Sequence, residues 1–372
     1  MDRERHFEQL DPTTDDPDEL FERFESRRVS GRVHHVLTDS RHGLERGTVV
    51  VEGEGIVRGY PSIPRVLVTD PGVPAFFDGE VVIEEKLNGF NVRIAAVGEI
   101  LAFTRSGYVC QYTTARVRDL LDTAAFFSDH PDKMVCAELI GPETPYTDHD
   151  YEGIESDAIR VFDIRDRESG EPLPVDGQEE LADSYGFPQP RQFGRSRPET
   201  AAGTVREVIE ELDGAGREGV VVRSTDGRSL LKYTTEAQHH ADLAHAFSLP
   251  FEYGRDFLFS RIVRDGFQAV EFDEEPDRLR ERAHDLGESI LFPLVEAVER
   301  VEAGGQVGEH HTVRADPAVI EQLLAHLRDQ GLTLEILDDR REGGERVVDF
   351  LKVAQSTQDQ IDHYLSGGTL NE

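Results

Sequence analysis

Up to Thr234 this chain is written mostly in short β-branched runs punctuated by Gly and Pro. Beyond that point its apolar positions take helical spacing. A short helix is expected over 17–25. The stretch GRVHHVLTDSRHGLERGTVVVEGEGIVRGYPSIPRVLV then reads as a small β-rich unit ending near Pro61–Pro64. The run VVIEEKLNGFNVRIAAVGEILAFTRSG predicts three antiparallel strands with turns at LNG and AVGE, and TTARVRDLLDTAAFF predicts one helix. MVCAELIG and IRVFDIRD read as buried strands, and ETAAGTVREVIEELDGAG as a helix closed by glycines. REGVVVRS and RSLLKYTT form a hairpin about STDGR.

After Thr234, EAQHHADLAHAF, RDFLFSRIVRDGFQAVEF and RLRERAHDLGESILFPLVEAVERVEAG are helical by apolar spacing. A Gly-rich break follows, and the remainder reads strand, helix, strand, strand, helix. There is no internal repeat and no low-complexity tract. At 372 residues the chain exceeds one ordinary core, so two to four domains are expected.

Charge changes the picture. Acids number 75 and bases 40, a net charge of −35, and the acid is spread along the chain. Only four of the bases are lysines: Lys86, Lys133, Lys232 and Lys352. Uniform acid with scarce lysine and no tryptophan points to a cytoplasmic protein from a high-salt cell, where concentrated cation screens self-repulsion. In that setting net charge does not argue against a nucleic-acid partner; local arginine clusters such as Arg255–Arg264 bear on it instead, as RNA-phosphate contacts or as interface packing.

Cys110 and Cys136 are too few for a disulfide framework or a zinc set and are expected as buried thiols. The pairs His34-His35, His239-His240 and His310-His311 have no carboxylate or cysteine at ligand spacing and are read as packing or surface residues. The charged start and the lack of a long apolar run predict neither a signal peptide nor a membrane span.

Lysine scarcity gives the survivors meaning. A lysine can lose its proton and act as a nucleophile, which a guanidinium cannot. Lys86 ends a strand, follows Glu84 and Glu85, and precedes a turn in Lys86-Leu-Asn-Gly89. Four letters alone carry little weight, but an ordered set follows: Arg105 in FTRSG, Glu138 in CAELIG, Phe162 in VFDI, Glu218 in REGVVVR and Lys232 in LLKYTT. Each falls on a strand or strand end, so all are expected to converge on one cleft between two sheets.

That order resembles the covalent nucleotidyltransferases. EEKLNGFNVRI, CAELIGPETPY, REGVVVRS, LLKYTT and PFEYGRDFLFSRIVRDGFQAVEF are similar to the archaeal homodimeric ATP-dependent RNA ligases, from about GYPSIPRVL to the C-terminal region. The resemblance implies an α+β fold, with a nucleotidyltransferase core of two antiparallel β-sheets and flanking helices at 63–248. A β-rich N-terminal domain (1–62), a helical dimerisation domain (249–306) and a small α/β C-terminal domain (307–372) surround it.

The same resemblance implies an ATP-dependent ligase that joins RNA 5′-phosphate and 3′-hydroxyl ends, using Mg2+ or Mn2+, as a homodimer. Single-stranded DNA is a second candidate substrate. Lys86 would become the AMP-lysine, with Lys232 and Glu218 beside it in catalysis and Glu218 also the candidate metal ligand. Glu85, Asn91, Arg105, Glu138, Phe162 and Arg223 would bind ATP or AMP, with Phe162 stacking on adenine and Glu138 meeting the ribose. Arg223 stands where these ligases usually carry lysine, so the position is expected to need charge rather than a deprotonable amine. Two other readings compete: a DNA ligase or capping enzyme, expected to carry a β-barrel after the core, and a non-catalytic nucleotide- or RNA-end-binding protein.

Overall fold

The computed structural model describes residues 3–29, 31–145 and 151–369. Tyr146, the last residue of CAELIGPETPY, lies outside them. The N-terminal part comprises α1 (Arg3–Leu10), α2 (Pro17–Phe21), β1 (Phe24–Val29), β2 (Arg32–Leu37), β3 (Val49–Val51) and β4 (Gly55–Val57), its strands forming one antiparallel sheet in chain order. The helix expected over 17–25 stops at Phe21, and Phe24 and Glu25 already belong to β1. Asp16 starts α2 by accepting from the Asp18 and Glu19 amides, with Pro17 in the first turn. The polar sequence of α1 hid it, because only His6 and Leu10 of that helix are buried.

The central part runs α3 (Thr69–Phe76), β5 (Val81–Lys86), β6 (Phe90–Val97), β7 (Glu99–Thr104), α4 (Gln111–Leu120), α5 (Thr123–Asp129), β8 (Lys133–Ile140), β9 (Ala158–Asp166), α6 (Val175–Ser184), β10 (Gln192–Ser196), α7 (Pro198–Gly214), β11 (Gly219–Ser224) and β12 (Leu230–Thr234). Two antiparallel sheets result, ordered β10-β5-β11-β12 and β7-β6-β8-β9. The expected hairpin at LNG is therefore not a hairpin. β5 pairs with β11 and β10, while β6 pairs with β7 and β8, so residues 87–89 carry the chain from one sheet to the other. The single helix expected in TTARVRDLLDTAAFF is two: α4 ends at Leu120, and the Asp122 carboxylate caps α5 by accepting from the Ala125 amide.

Strand alternation gives each sheet one face for packing and one for the cleft. Val81, Ile83, Val220, Val222, Leu231 and Tyr233 pack beneath α7 on its Ala201, Val205, Ile209 and Leu212. Val92, Ile94, Val135, Ala137, Leu139 and Val161 pack on the other side against Phe126 and Phe127 of α5. Each such aliphatic side chain is worth about 1.5–3 kcal/mol when fully buried. The intervening residues Glu84, Lys86, Val221, Arg223, Leu230 and Lys232 of one sheet then face Asn91, Glu138 and Phe162 of the other.

Beyond the core lie α8 (Glu236–Ser248), α9 (Arg255–Glu271), α10 (Pro276–Glu302), β13 (Gly308–Ala315), α11 (Pro317–Asp329), β14 (Leu334–Glu342), β15 (Glu345–Val353) and α12 (Gln355–Leu365). The three strands form a sheet ordered β13-β15-β14, and its core reaches Cys110 and Tyr112 at the start of α4. Helices, not a barrel, follow the core. Among the described residues no helix is long and apolar enough to cross a membrane. Cys110 and Cys136 are both buried and not joined to each other.

Candidate active site

Lys86 is the last residue of β5, and its cross-strand partner is Gly219 of β11. That register sets Glu218, one residue before β11, beside it, and the Lys86 ammonium donates to Glu218 Oε2 at 2.6 Å. Gly219 has φ +145°, and a Cβ there would run into the Tyr233 carbonyl, so the turn into β11 that carries Glu218 requires glycine. Gly89 is constrained by close approach instead. A Cβ on it would lie 2.5 Å from the Leu139 carbonyl oxygen and 2.6 Å from the Ile140 side chain. The LNG crossing therefore lies directly on β8, beside Glu138.

The cleft encloses 520 Å³, within the range of about 300–1,000 Å³ usual for small-molecule sites. Of the residues singled out from sequence, Glu85, Lys86, Asn91, Arg105, Glu138, Phe162, Arg223 and Lys232 all line it, and Glu218 reaches it through Lys86. One end is apolar, with Ile63, Val221 and Leu230 around Phe162. Tyr60 fixes that ring edge-on, with centroids 5.3 Å apart at 81°, and its hydroxyl donates to Asp163. The other end is charged. Burial, and then the neighbouring Arg65 and Lys86, lower the Lys232 ammonium to about 8. Burial pushes the Glu138 carboxyl up to about 7, against the pull of Lys86.

Asn91 stands opposite Glu138 across the β6–β8 pair. The Asn91 Oδ1 is buried without a protein donor, an acceptor that a bound ligand can satisfy. Arg105, just past β7, has a side chain with no ion pair or hydrogen-bond partner among the described residues. Glu85 is more constrained: its amide donates to the Arg191 carbonyl, and its carboxylate accepts from Arg217 at 2.7 Å.

Arg223 differs from an open phosphate ligand. Its guanidinium donates to the Phe162 carbonyl at 2.6 Å, Gln178 Oε1 at 2.9 Å, Asp163 at 3.3 Å and Glu84 at 3.4 Å. Burial opposes its charge, but Asp163 and Glu84 more than offset that and hold the guanidinium firmly protonated. It ties the β5–β11 sheet to the β9 backbone under Phe162.

Sequence reasoning missed three contributors. Tyr60 lies in the GYPSIP segment, which reads only as a domain link. Tyr151 holds the crossing from outside: its hydroxyl accepts from the Asn88 amide at 2.7 Å and donates to the Asn88 carbonyl, while Arg217 stacks on its ring at 3.9 Å. Arg65 adds positive charge next to Lys232. All three act through contacts far apart in sequence, and no local pattern marks them. Among the described residues no group of three or more His, Cys, Asp or Glu is placed to hold a metal on its own. A magnesium-like ion carried on phosphate oxygens needs only one or two carboxylates, and Glu218 and Glu138 are the ones beside Lys86.

Two antiparallel sheets enclosing a nucleotide-sized cleft are the architecture of the nucleotidyltransferase-type ligases. Comparison with known proteins narrows this. Residues 79–234 match the RNA ligase family, and residues 245–368 match the family described as the Ligase Pab1020 C-terminal region. An uncharacterised protein of Methanocaldococcus jannaschii is 38% identical over 338 residues, covering 87% of this chain and 85% of that one. A solved archaeal ATP-dependent RNA ligase superposes with a TM-score of 0.93 at 38% identity, covering 100% of both chains. A chain from Aquifex aeolicus described as a "putative ATP-dependent DNA ligase" gives 0.88 at 25% identity, covering 94% of this chain and 97% of that one. The chain belongs to the family of archaeal ATP-dependent RNA ligases.

Proposed function

We propose that this protein joins RNA 5′-phosphate and 3′-hydroxyl ends at the expense of ATP, through a lysyl-AMP and then an RNA-adenylate. The observation that carries the reading is Lys86 itself: a retained lysine whose ammonium points at Glu218 in a cleft with one apolar and one cationic end.

In the first step the Lys86 amine bonds to the α-phosphorus of ATP, and the bond to the bridging oxygen breaks, releasing pyrophosphate with the electron pair. The Glu218 carboxylate is in place to accept the amine proton. Phe162, with Val221 and Leu230 around it, offers adenine a flat apolar bed, and Asn91 Oδ1 and Glu138 supply polar partners for the nucleoside. Lys232 and Arg105 oppose the charge that spreads over the phosphate oxygens. Arg223 holds the Phe162 backbone and Glu84 in place. A divalent ion, Mg2+ or Mn2+, at Glu218 would supply further neutralisation there. The RNA 5′-phosphate then displaces Lys86 from phosphorus, and the 3′-hydroxyl finally displaces AMP.

The working unit in this reading is a homodimer formed through the 249–306 segment, between the 63–248 core and the 307–372 domain. Support comes from the apolar side chains that α9 and α10 leave exposed, among them Phe259, Val270, Leu291 and Phe292. The acid excess and lysine scarcity fit a cytoplasm rich in salt.

The test is incubation of the full chain with α-labelled ATP and a divalent ion in concentrated salt, beside Lys86→Arg. Labelled protein is expected from the wild type alone. Absence of label on a folded wild type refutes the reading. Adding 5′-phosphorylated RNA or single-stranded DNA then decides the substrate; the Aquifex likeness is the reason for the DNA arm.

A further inference from the structure

Gln238 does not play the part its position predicts. Thr235 caps α8, its Oγ1 accepting from the Gln238 amide at 3.2 Å. A glutamine three residues after a threonine cap ordinarily reaches back to accept from the backbone amide of the cap. Here that amide is already engaged, because Thr235 donates it to the Glu218 carbonyl at 3.0 Å. The Gln238 side chain turns elsewhere. Its Oε1 accepts from Asn88 Nδ2 at 2.9 Å, and its Nε2 donates to Asp242 Oδ1 at 2.7 Å.

The direction of this relay is fixed. Asp242 lies one turn further along α8 on the same face, and its other oxygen accepts from Arg261 Nε on α9 at 2.8 Å. A carboxylate held by a guanidinium can only accept, so Gln238 must give it the amide nitrogen and present the carbonyl oxygen to Asn88. The relay thus runs from α9 through α8 to the residue two places after Lys86.

The same turn of α8 also grips the other reacting strand end. The Thr235 hydroxyl donates to the Arg217 carbonyl at 2.6 Å, beside the bond from its amide to the Glu218 carbonyl. Thr235 therefore holds the backbone that carries Glu218, and Gln238 holds the backbone that leaves Lys86. One helical turn sets the separation of two strand ends whose side chains meet at 2.6 Å. Neither Asn88 nor Gln238 lines the cleft, so neither is placed to touch a nucleotide in it.

We propose that Gln238 is a positioning residue for Lys86. Through Asn88 it holds the crossing at 87–89, so that the amine keeps its place against Glu218 and the α-phosphorus, while Asp242 and Arg261 keep the Gln238 amide pointed the right way. This rests on the Lys86 chemistry proposed above. Small displacements of a reacting atom cost rate far more than they cost binding, so loss of the relay acts on the chemical step and spares the affinity for ATP.

The test is single-turnover formation of the AMP adduct by the full chain, measured across a range of ATP concentrations. The variants are Gln238→Ala, Asn88→Ala, the two together, Gln238→Glu, and Gln238→Glu with Asp242→Asn. Gln238→Ala should lower the maximal rate about tenfold and leave ATP half-saturation within about twofold of wild type. Adding Asn88→Ala should slow it no further, since both changes break one contact. Gln238→Glu sets two carboxylates face to face and should be slow. Adding Asp242→Asn exchanges carboxylate and amide, closes the relay again with net charge unchanged, and should restore the rate to within about threefold of wild type.

A wild-type maximal rate in folded Gln238→Ala overturns the proposal, as does full additivity with Asn88→Ala. So does a raised ATP half-saturation at unchanged maximal rate, which would put Gln238 in nucleotide binding. A residue that merely stabilised α8 would lower melting temperature in Gln238→Glu without recovery of rate in the exchanged pair. Should Gln238→Ala not fold, the exchanged pair decides alone. Wild type that forms no adduct refutes the Lys86 chemistry and this proposal with it, whereas wild type that reacts leaves only the positioning role at stake.

Discussion

Lys86 and Glu218 meet at 2.6 Å although 132 residues separate them, because Gly219 is the cross-strand partner of Lys86 in the β5–β11 pair. The contact belongs to backbone register, so it exists before any nucleotide arrives. Glu218→Gln keeps the shape and removes the proton acceptor. Adduct formation in a single turnover is expected to slow by at least about tenfold, with melting temperature changed by only a few degrees.

Lys232 should give the reaction an alkaline limit. Its folded pKa of about 8 lies below the ordinary 10.5, so the positive charge proposed to serve the phosphates is lost as pH rises through 8. ATP half-saturation should rise above that pH in wild type and stay flat in Lys232→Arg. The stability sign is opposite. The unfolded chain binds more protons between 8 and 10.5, so stability increases with pH across that window. Lys232→Met should therefore melt higher than wild type at pH 7 while failing to form adduct.

Gly89→Ala tests the crossing. The new Cβ meets the Leu139 carbonyl and the Ile140 side chain, so the loop or β8 must move. A loss of about 1–3 kcal/mol is expected in denaturant unfolding, together with a fall in adduct formation. Gly79→Ala, with open space around it, is the control and should leave adduct formation unchanged.

Arg223 separates charge from chemistry. Arg223→Ala leaves Glu84 and Asp163 buried without their cation and should cost about 3–5 kcal/mol in chemical denaturation. Arg223→Lys restores the charge with fewer donors and should retain adduct formation.

The exposed face of α9 and α10 predicts the oligomer. Leu291→Glu with Phe292→Glu should convert a dimer to a monomer in sedimentation at high salt, since both side chains are more than half exposed in the single chain.

What the sequence revealed here followed from local chemistry. The strands carrying Lys86, Glu138 and Lys232 were legible as β-branched or buried apolar runs, and lysine scarcity singled out two of these residues. The LNG turn misled because three residues between two strands read as a hairpin, and only the partner strand, β11, decides otherwise. The α4–α5 break at Asp122 had a readable sign, a capping aspartate within an apolar run. His239-His240 looked idle because its partner, Asp265, is 25 residues beyond His240 and lies on the next helix. Arg65 had no sign at all: only the fold brings it beside Lys232.

Among the described residues the chain passes between the two sheets of the core only twice, at 87–89 and again between β9 and β10. The shorter passage follows Lys86 directly and delivers the chain, through Phe90, to Asn91 on the facing wall. The two jaws of the cleft are thus tethered at Lys86, the proposed nucleophile, so any change in their spacing is felt first at its amine.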